Sequence, residues 1–179
     1  MAWCYRNRFR RVIIRKGLVT ILFVKEQKLQ QLYKWMDWLE TPNDDFGGFP
    51  VCPFLAPERK QDKLLIDFYD YRQKSLFSMI QEFDKENKYT TALYLHVLGG
   101  EKQKTKDYGD WVTYELDRLG LGHLKAICFS PWEKIRKNGV RTRVEAPCFI
   151  TSITTHDSLD EAWKKIKPTN YWNKNRESA

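Results

Sequence analysis

A cysteine held between two prolines is the residue of this chain whose setting most suggests chemistry. Residues 49–54 read Phe-Pro-Val-Cys-Pro-Phe, so that Pro50 precedes Cys52 and Pro53 follows it. Proline fixes its own φ and restricts the residue before it, so covalent geometry sets the position of the Cys52 thiol relative to the fold. The pattern predicts a rigid, reactive thiol or, as is usual for a lone cysteine, a small side chain buried in the core.

A histidine near the end of an apolar segment is the natural partner for this thiol. Residues 90–98 are β-branched and apolar enough to form a buried strand, and His96 lies near the end of that strand. An imidazole within hydrogen-bond reach of Cys52 would complete a Cys-His nucleophile. We predict that the loop after the first helix folds back so that Cys52 and His96 share a cleft. The alternative is a histidine that is hydrogen-bonded in or beside the core.

Two polar loops contain candidate groups for holding an anion. Residues 99–105 lie between a predicted strand and a predicted helix, where backbone amides together with Lys102 and Lys104 could hold a phosphate. The spacing is not that of a P-loop, and an ordinary solvated connection is the alternative. Arg143, in a second polar loop, completes the predicted ligand-binding set.

Basic residues are concentrated at the start of the chain and in the second loop. The net charge is +8, and residues 1–26 contain seven Lys or Arg against one Glu. Clusters of this kind gain free energy from counterion release when they contact nucleic acid. The candidate nucleic-acid residues are Arg6, Arg8, Arg10, Arg11, Arg136, Lys137 and Arg141. The alternative for residues 1–26 is an extra hairpin or an extension without a role in recognition.

The remaining composition argues against several classes of protein. The cysteines Cys4, Cys52, Cys128 and Cys148 form no C-x-x-C pair, which predicts reduced thiols and a cytoplasmic chain. Closely paired ligands are missing as well, so no metal site and no cofactor is predicted. The longest unbroken apolar run, residues 18–24, is far short of the ~20 residues that span a bilayer.

The elements that must position these residues follow from periodicity. Apolar side chains recur at helical spacing over residues 27–40, 76–83, 108–119 and from Ser158 to Ile166, and the predicted strands are 63–69, 90–98, 123–129 and 147–155. A capping box at Ser158–Glu161 is predicted to start the last helix. The order predicts a single α/β (α+β) domain over residues 27–179, a sandwich with a four-stranded mixed sheet covered by helices. Residues 1–26 are predicted to form a basic N-terminal extension or an extra hairpin.

The order of short motifs resembles an uncharacterised bacterial domain family of unknown function. Its members carry an L-C-P-F-A segment, an F-H-P strand end and an H-L-L-R-E strand. Cys52, Pro53 and Phe54 match the C-P-F of the first motif, and Phe129 and Pro131 match the F-x-P of the second. The family also has a histidine at the end of its second strand, matched by His96, and an N-R-S-P loop, to which Arg143 and Pro147 correspond loosely. Ser130, Ser152 and Thr155 stand where the family has histidine, histidine and arginine. The resemblance implies a divergent member with a lost or altered reaction if the family is enzymatic, and it implies no substrate or cofactor.

These residues together predict binding of a small anionic ligand or a macromolecular partner near Cys52. The first alternative is a thiol-dependent enzyme that uses Cys52 and His96. The second is a nucleic-acid accessory protein that uses the basic segments. The sequence leaves open whether the protein is an enzyme.

Overall fold

The computed structural model describes residues 16–43, 48–98, 104–131, 136–137, 140–141 and 145–166. The helices in these ranges are α1 (Lys16–Glu40), α2 (Leu55–Lys60), α3 (Leu76–Glu86), α4 (Thr105–Arg118) and α5 (His156–Ile166). The strands are β1 (Pro42–Asn43), β2 (Phe49–Pro50), β3 (Leu64–Tyr69), β4 (Thr91–His96), β5 (Leu124–Phe129), β6 (Arg136–Lys137), β7 (Val140–Arg141) and β8 (Ile150–Thr155). None of the helices in the described ranges has both the length and the apolar composition that a membrane crossing requires.

Four strands form one mixed sheet in the order β3-β4-β8-β5. β3 and β4 run parallel, and Tyr69 at the end of one pairs with His96 at the end of the other. β8 is antiparallel to both of its neighbours, β4 and β5. β1 pairs with β2, and β6 pairs with β7, in two short antiparallel ladders. The sequence-based prediction of a four-stranded mixed sheet with helices is therefore confirmed.

Helices pack on both faces of this sheet because side chains alternate between its faces. On β4, Ala92 and Tyr94 point into a core built with α3 and α4, whereas Leu93 and Leu95 point into a second core built with α1. We call these the α3/α4 face and the α1 face. The α3/α4 core includes Met79, Ile80 and Phe83 of α3 and Val112 and Leu116 of α4. The α1 core includes Leu32, Trp35, Met36 and Leu39.

The beginning of α1 differs from the prediction. The helix begins at Lys16 and continues without a break to Glu40, whereas the apolar periodicity predicted a start at residue 27. The predicted boundary between residues 26 and 27 therefore falls inside one helix. Residues 1–15, which include most of the predicted basic extension, lie outside the described part of the chain.

The beginning of α5 also differs from the prediction. The helix starts at His156, and the backbone N–H of Ser158 donates to Oγ1 of Thr155. Thr155 is thus the residue that caps the helix, since its hydroxyl accepts from the third helical amide. The capping box predicted at Ser158 is wrong. The Ser158 hydroxyl is instead used in a tertiary contact with Glu58.

Helix α4 lies close to the edge strand β5. A Cβ added at Gly109 of α4 would come within 3.5 Å of the carbonyl oxygen of Ala126 and 3.7 Å of the Cys128 sulfur. The hydroxyl of Thr113, one turn later on α4, accepts a hydrogen bond from the backbone N–H of Ala126 at 3.1 Å. The Ala126 N–H points away from β8, the only described strand that pairs with β5 in this sheet. Helix α4 therefore provides the hydrogen-bond acceptor for this N–H on the outer edge of the sheet.

Candidate functional site

Cys52 lies on the α1 face of the molecule. Pro42 pairs with Pro50 in the β1-β2 ladder, so the chain folds back on the end of α1. The backbone N–H of Cys52 then donates to the carbonyl oxygen of Leu39 at 2.9 Å. The side chain is half-buried and packs against the α1 core, which contains Leu93 and Leu95.

His96 lies on the opposite face, in a cage of aromatic rings. Its imidazole centroid is 4.8 Å from the rings of both Tyr69 and Phe149 and 6.1 Å from the ring of Tyr108. Its Nε2 is 2.8 Å from Oγ1 of Thr151. The side chain is 5% exposed, and this burial, with the charge of Lys28 as a smaller cause, lowers its pKa to about 4. The imidazole is therefore neutral at neutral pH.

The sheet separates the two residues that the sequence paired. His96 is in phase with Ala92 and Tyr94 along β4, whereas Cys52 packs with the side chains of Leu93 and Leu95. The structure therefore does not bring Cys52 and His96 into one cleft, because the backbone of β4 and its neighbours lies between them. The two side chains are therefore not placed to form a Cys-His nucleophile.

The two other described thiols, Cys128 and Cys148, are core residues. Cys128 is buried on β5 with its sulfur 3.9 Å from Oγ1 of Thr151. Cys148 is buried in the α1 core, and this burial raises its pKa to about 11. Cys148 is consequently a thiol, not a thiolate, at neutral pH.

The remaining predicted site residues fall mostly outside the described structure. Lys104 is exposed and immediately precedes α4. The backbones of Arg136, Lys137 and Arg141 belong to the β6-β7 ladder, in which Arg136 pairs with Arg141. Lys102, Arg143, Cys4, Arg6, Arg8, Arg10 and Arg11 lie in undescribed segments. The roles given to these residues stay predictions.

A cleft of about 480 Å³ lies at the end of the sheet opposite to His96. Its residues come from the segments that precede β3 and β4, from α2, from the start of β5 and from the β8-α5 junction. Backbone hydrogen bonds tie these segments together: the N–H of Thr90 donates to Lys63, that of Thr155 to Thr90, and that of His156 to His123. We call this site the α5 cleft.

Glu58 is the most constrained acidic residue of the α5 cleft. One carboxylate oxygen accepts a hydrogen bond from the Ser158 hydroxyl at 2.9 Å, and the other accepts from the Thr90 hydroxyl. The carboxylate thus joins α2, the segment before β4 and α5. Glu58 follows closely on Cys52 and Pro53, so the proline-flanked segment leads directly into the helix that places this carboxylate.

Two histidines lie at the rim of the cleft where β5 begins and β8 ends. His123 Nε2 is 2.6 Å from Oδ1 of Asp84, so this carboxylate orients the ring. His156 is exposed and follows the cap residue Thr155. The backbone N–H of His156 donates to the carbonyl oxygen of His123, and both residues line the cleft.

Two lysines bring positive charge into the same cleft. Lys63 Nζ contacts the carbonyl oxygen of Lys88 at 3.4 Å. Lys88 Nζ donates to the phenol oxygen of Tyr89 at 3.0 Å, which raises the pKa of this lysine. Both partners are neutral, and within the described ranges neither ammonium group forms an ion pair with a carboxylate. The carboxylates of Asp62 and Glu86 act on Lys88 only from a distance, where their charge adds to the rise of its pKa, so both ammonium groups are free of direct ion pairs with described residues.

The sequence reasoning missed this cleft because its residues are widely separated along the chain. The available signal was register: antiparallel pairing of the strands predicted at 123–129 and 147–155 places His123 beside Thr155 and His156. Glu58 could not have been found in this way, because the short helix α2 that carries it was not predicted.

Within the part of the chain that the structure describes, no group of three or more His, Cys, Asp or Glu side chains is arranged to hold a metal ion. Comparison with known proteins finds no matching protein-family model, no matching curated protein and no matching solved structure.

Proposed function

We propose that this protein binds a small ligand that carries an anionic group, a carboxylate or a phosphate, in the α5 cleft. The observation that carries the proposal is the pair of ammonium groups of Lys63 and Lys88, which line a concave site without a carboxylate partner among the described residues. An anionic ligand group would form the ion pairs that these two lysines lack.

The volume of the cleft suits a small molecule. At about 480 Å³ it lies within the ~300–1,000 Å³ range of small-molecule sites. Since a water molecule occupies ~30 Å³ of liquid, this space corresponds to about 16 waters. Molecules from the size of an amino acid to that of a nucleotide fit within it.

Recognition in the cleft depends on side chains, because the amino terminus of α5 is already occupied. The N–H of His156 donates to His123, and that of Ser158 donates to Thr155. Asp157 adds a carboxylate in the first turn of the helix. The backbone N–H groups of His156 and Ser158 are therefore not available to an anion. The groups suited to contact it are the side chains of Lys63, Lys88, His123 and His156.

This location differs from the one that the sequence suggested. Cys52 does not line the α5 cleft, although the segment that contains it positions Glu58. The two alternatives put forward from the sequence gain no support: the thiol and the imidazole lie on opposite faces of the sheet, and most of the basic residues lie outside the described part of the chain.

Amide chemical-shift titration with small anions tests the proposal. Inorganic phosphate, straight-chain carboxylates and amino-carboxylates at up to about 10 mM should shift the amide signals of residues 61–63, 88–90 and 155–158. The double variant Lys63→Met/Lys88→Met should weaken this response at least about fivefold, since both cations are removed.

The matched control for this experiment is Lys85→Met, since Lys85 is an exposed lysine in the last turn of α3 that does not line the cleft. It should bind like the unmodified protein. Binding that survives loss of both Lys63 and Lys88, or no response to any anion-bearing compound, would contradict the proposal.

A further inference from the structure

We infer that the ligand of the α5 cleft is a zwitterion, an amino-carboxylic acid or a short peptide with free ends. This inference rests on the proposed function, because it uses the same cleft and the same two lysines. It adds the prediction that the ligand also carries a cationic group.

The observation behind it is a second pair of charges in the cleft. Asp157 and Glu161 both line the site and are four residues apart on α5, so they lie on the same side of the helix. Of the described residues, none forms an ion pair with either carboxylate. Glu58 differs from them, since two hydroxyl groups already satisfy its oxygens.

The two pairs of opposite charge share one cleft without neutralising each other. Lys63 and Lys88 come from the segments before β3 and β4, whereas Asp157 and Glu161 come from α5. Neither lysine Nζ lies within 4.0 Å of a carboxylate oxygen of Asp157 or Glu161. The cations and carboxylates are therefore not paired with one another in a site large enough for a small molecule.

A zwitterion matches this arrangement better than a simple anion does. A ligand with only a negative group would gain from the lysines but would also face the carboxylates of Asp157 and Glu161. A ligand with only a positive group would meet the reverse problem. A ligand with both groups can place its carboxylate beside the lysines and its ammonium beside the α5 carboxylates, so that neither pair is left uncompensated.

Titrations with matched compounds test the inference. ε-Aminocaproate carries both charges, and caproate and hexylamine each carry one charge on a similar carbon chain; glycine supplies a second zwitterion with a shorter charge separation. We expect at least one zwitterion to bind about tenfold more tightly than either single-charge compound, measured by amide shifts of residues 155–161. Equal or tighter binding of caproate would overturn the inference while leaving the proposed function intact.

A variant of the α5 carboxylates gives the second readout. Glu161→Gln should weaken binding of the zwitterion by at least about fivefold and leave caproate binding unchanged or tighter. Asp160→Asn is the matched control, since this exposed neighbour on α5 does not line the cleft and should have no effect. Equal loss of zwitterion and caproate binding in Glu161→Gln would show that Glu161 contributes no charge-specific contact, against the inference.

Discussion

At the scale of single residues, His96 is a structural histidine. Aromatic rings surround its imidazole, and Thr151 is within hydrogen-bond distance of Nε2. Burial holds its pKa at about 4 in the folded protein, below the ordinary value of 6.5. As the pH falls from 6.5 towards 4, the unfolded chain gains a proton at this residue that the folded chain does not, so stability falls through that window.

We therefore predict that His96 makes the protein acid-labile. Between about pH 7 and about pH 4 this residue alone should lower the free energy of unfolding by roughly 3 kcal/mol. The variant His96→Gln keeps a polar group for Thr151 but does not titrate, so the loss of stability over this range should be smaller by that amount. Urea unfolding of both proteins at the two pH values measures the difference. If the free energy of unfolding falls by the same amount in both proteins between the two pH values, the prediction for His96 is wrong.

The pairing of Cys52 with His96 shows where residue-level prediction stops. Alternation along β4 puts His96 in phase with Ala92 and Tyr94, and this phase is readable from the sequence. It does not reveal that α1, with the Cys52 loop, covers the other face. That choice depends on how the chain crosses the sheet, which local patterns do not encode.

At the scale of elements, periodicity predicted α3, α4 and the strands of the main sheet well, but not the starts of α1 and α5 or the short helix α2. α3, α4 and the four strands of the main sheet are close to their predicted bounds, because each has a regular apolar stripe or a β-branched run. α2 is a six-residue helix, too short to show a period. The start of α5 was misplaced because Thr155 and Ser158 both precede helix-compatible residues, and a tertiary contact with Glu58 uses the second hydroxyl.

Two glycines at α4 should respond oppositely to the same substitution. Gly109 is inside the helix, and a Cβ there would meet its neighbours at ordinary contact distances of 3.5–3.7 Å. Gly109→Ala should therefore raise the free energy of unfolding by up to about 1 kcal/mol, through helix propensity. Gly120 follows the helix and has a φ of +76°, which alanine adopts only at a cost. Gly120→Ala should therefore lower the free energy of unfolding by about 1 kcal/mol.

Thermal unfolding of the two glycine variants beside the unmodified protein checks both signs. Each change should move the midpoint by roughly 2–4 °C, upward for Gly109→Ala and downward for Gly120→Ala. A destabilised Gly109→Ala would mean that α4 packs against β5 too tightly for a methyl group.

At the scale of the whole molecule, α1 supplies most of the helical cover on one face of the sheet. Leu32 and Met36 are fully buried, and Trp35 is 2% exposed with its ring 5.2 Å from that of Phe129. Arg59 of α2 joins the end of this helix through Asp37 and Glu40, at 2.8 and 2.9 Å. The fold therefore depends on the helix that the sequence only partly predicted.

We predict that a chain starting at Met36 does not fold. It lacks Leu32 and Trp35, and loss of one such buried side chain already costs about 2–5 kcal/mol, against a total stability of roughly 5–15 kcal/mol. A chain starting at Lys16 is the control, since it keeps all of α1. Circular dichroism during heating distinguishes the two: a cooperative transition from the Met36 chain would refute the prediction.

The hydrogen bond from the Ala126 amide to Thr113 has a consequence for contacts between molecules. β5 is an outermost strand, and such strands are where another polypeptide most readily adds and starts intermolecular sheet growth. The Ala126 N–H in the middle of β5 already donates to the hydroxyl of Thr113. This N–H is therefore not available to pair with the backbone of an incoming strand. Helix α4 thus shields this margin against fibrillar self-association.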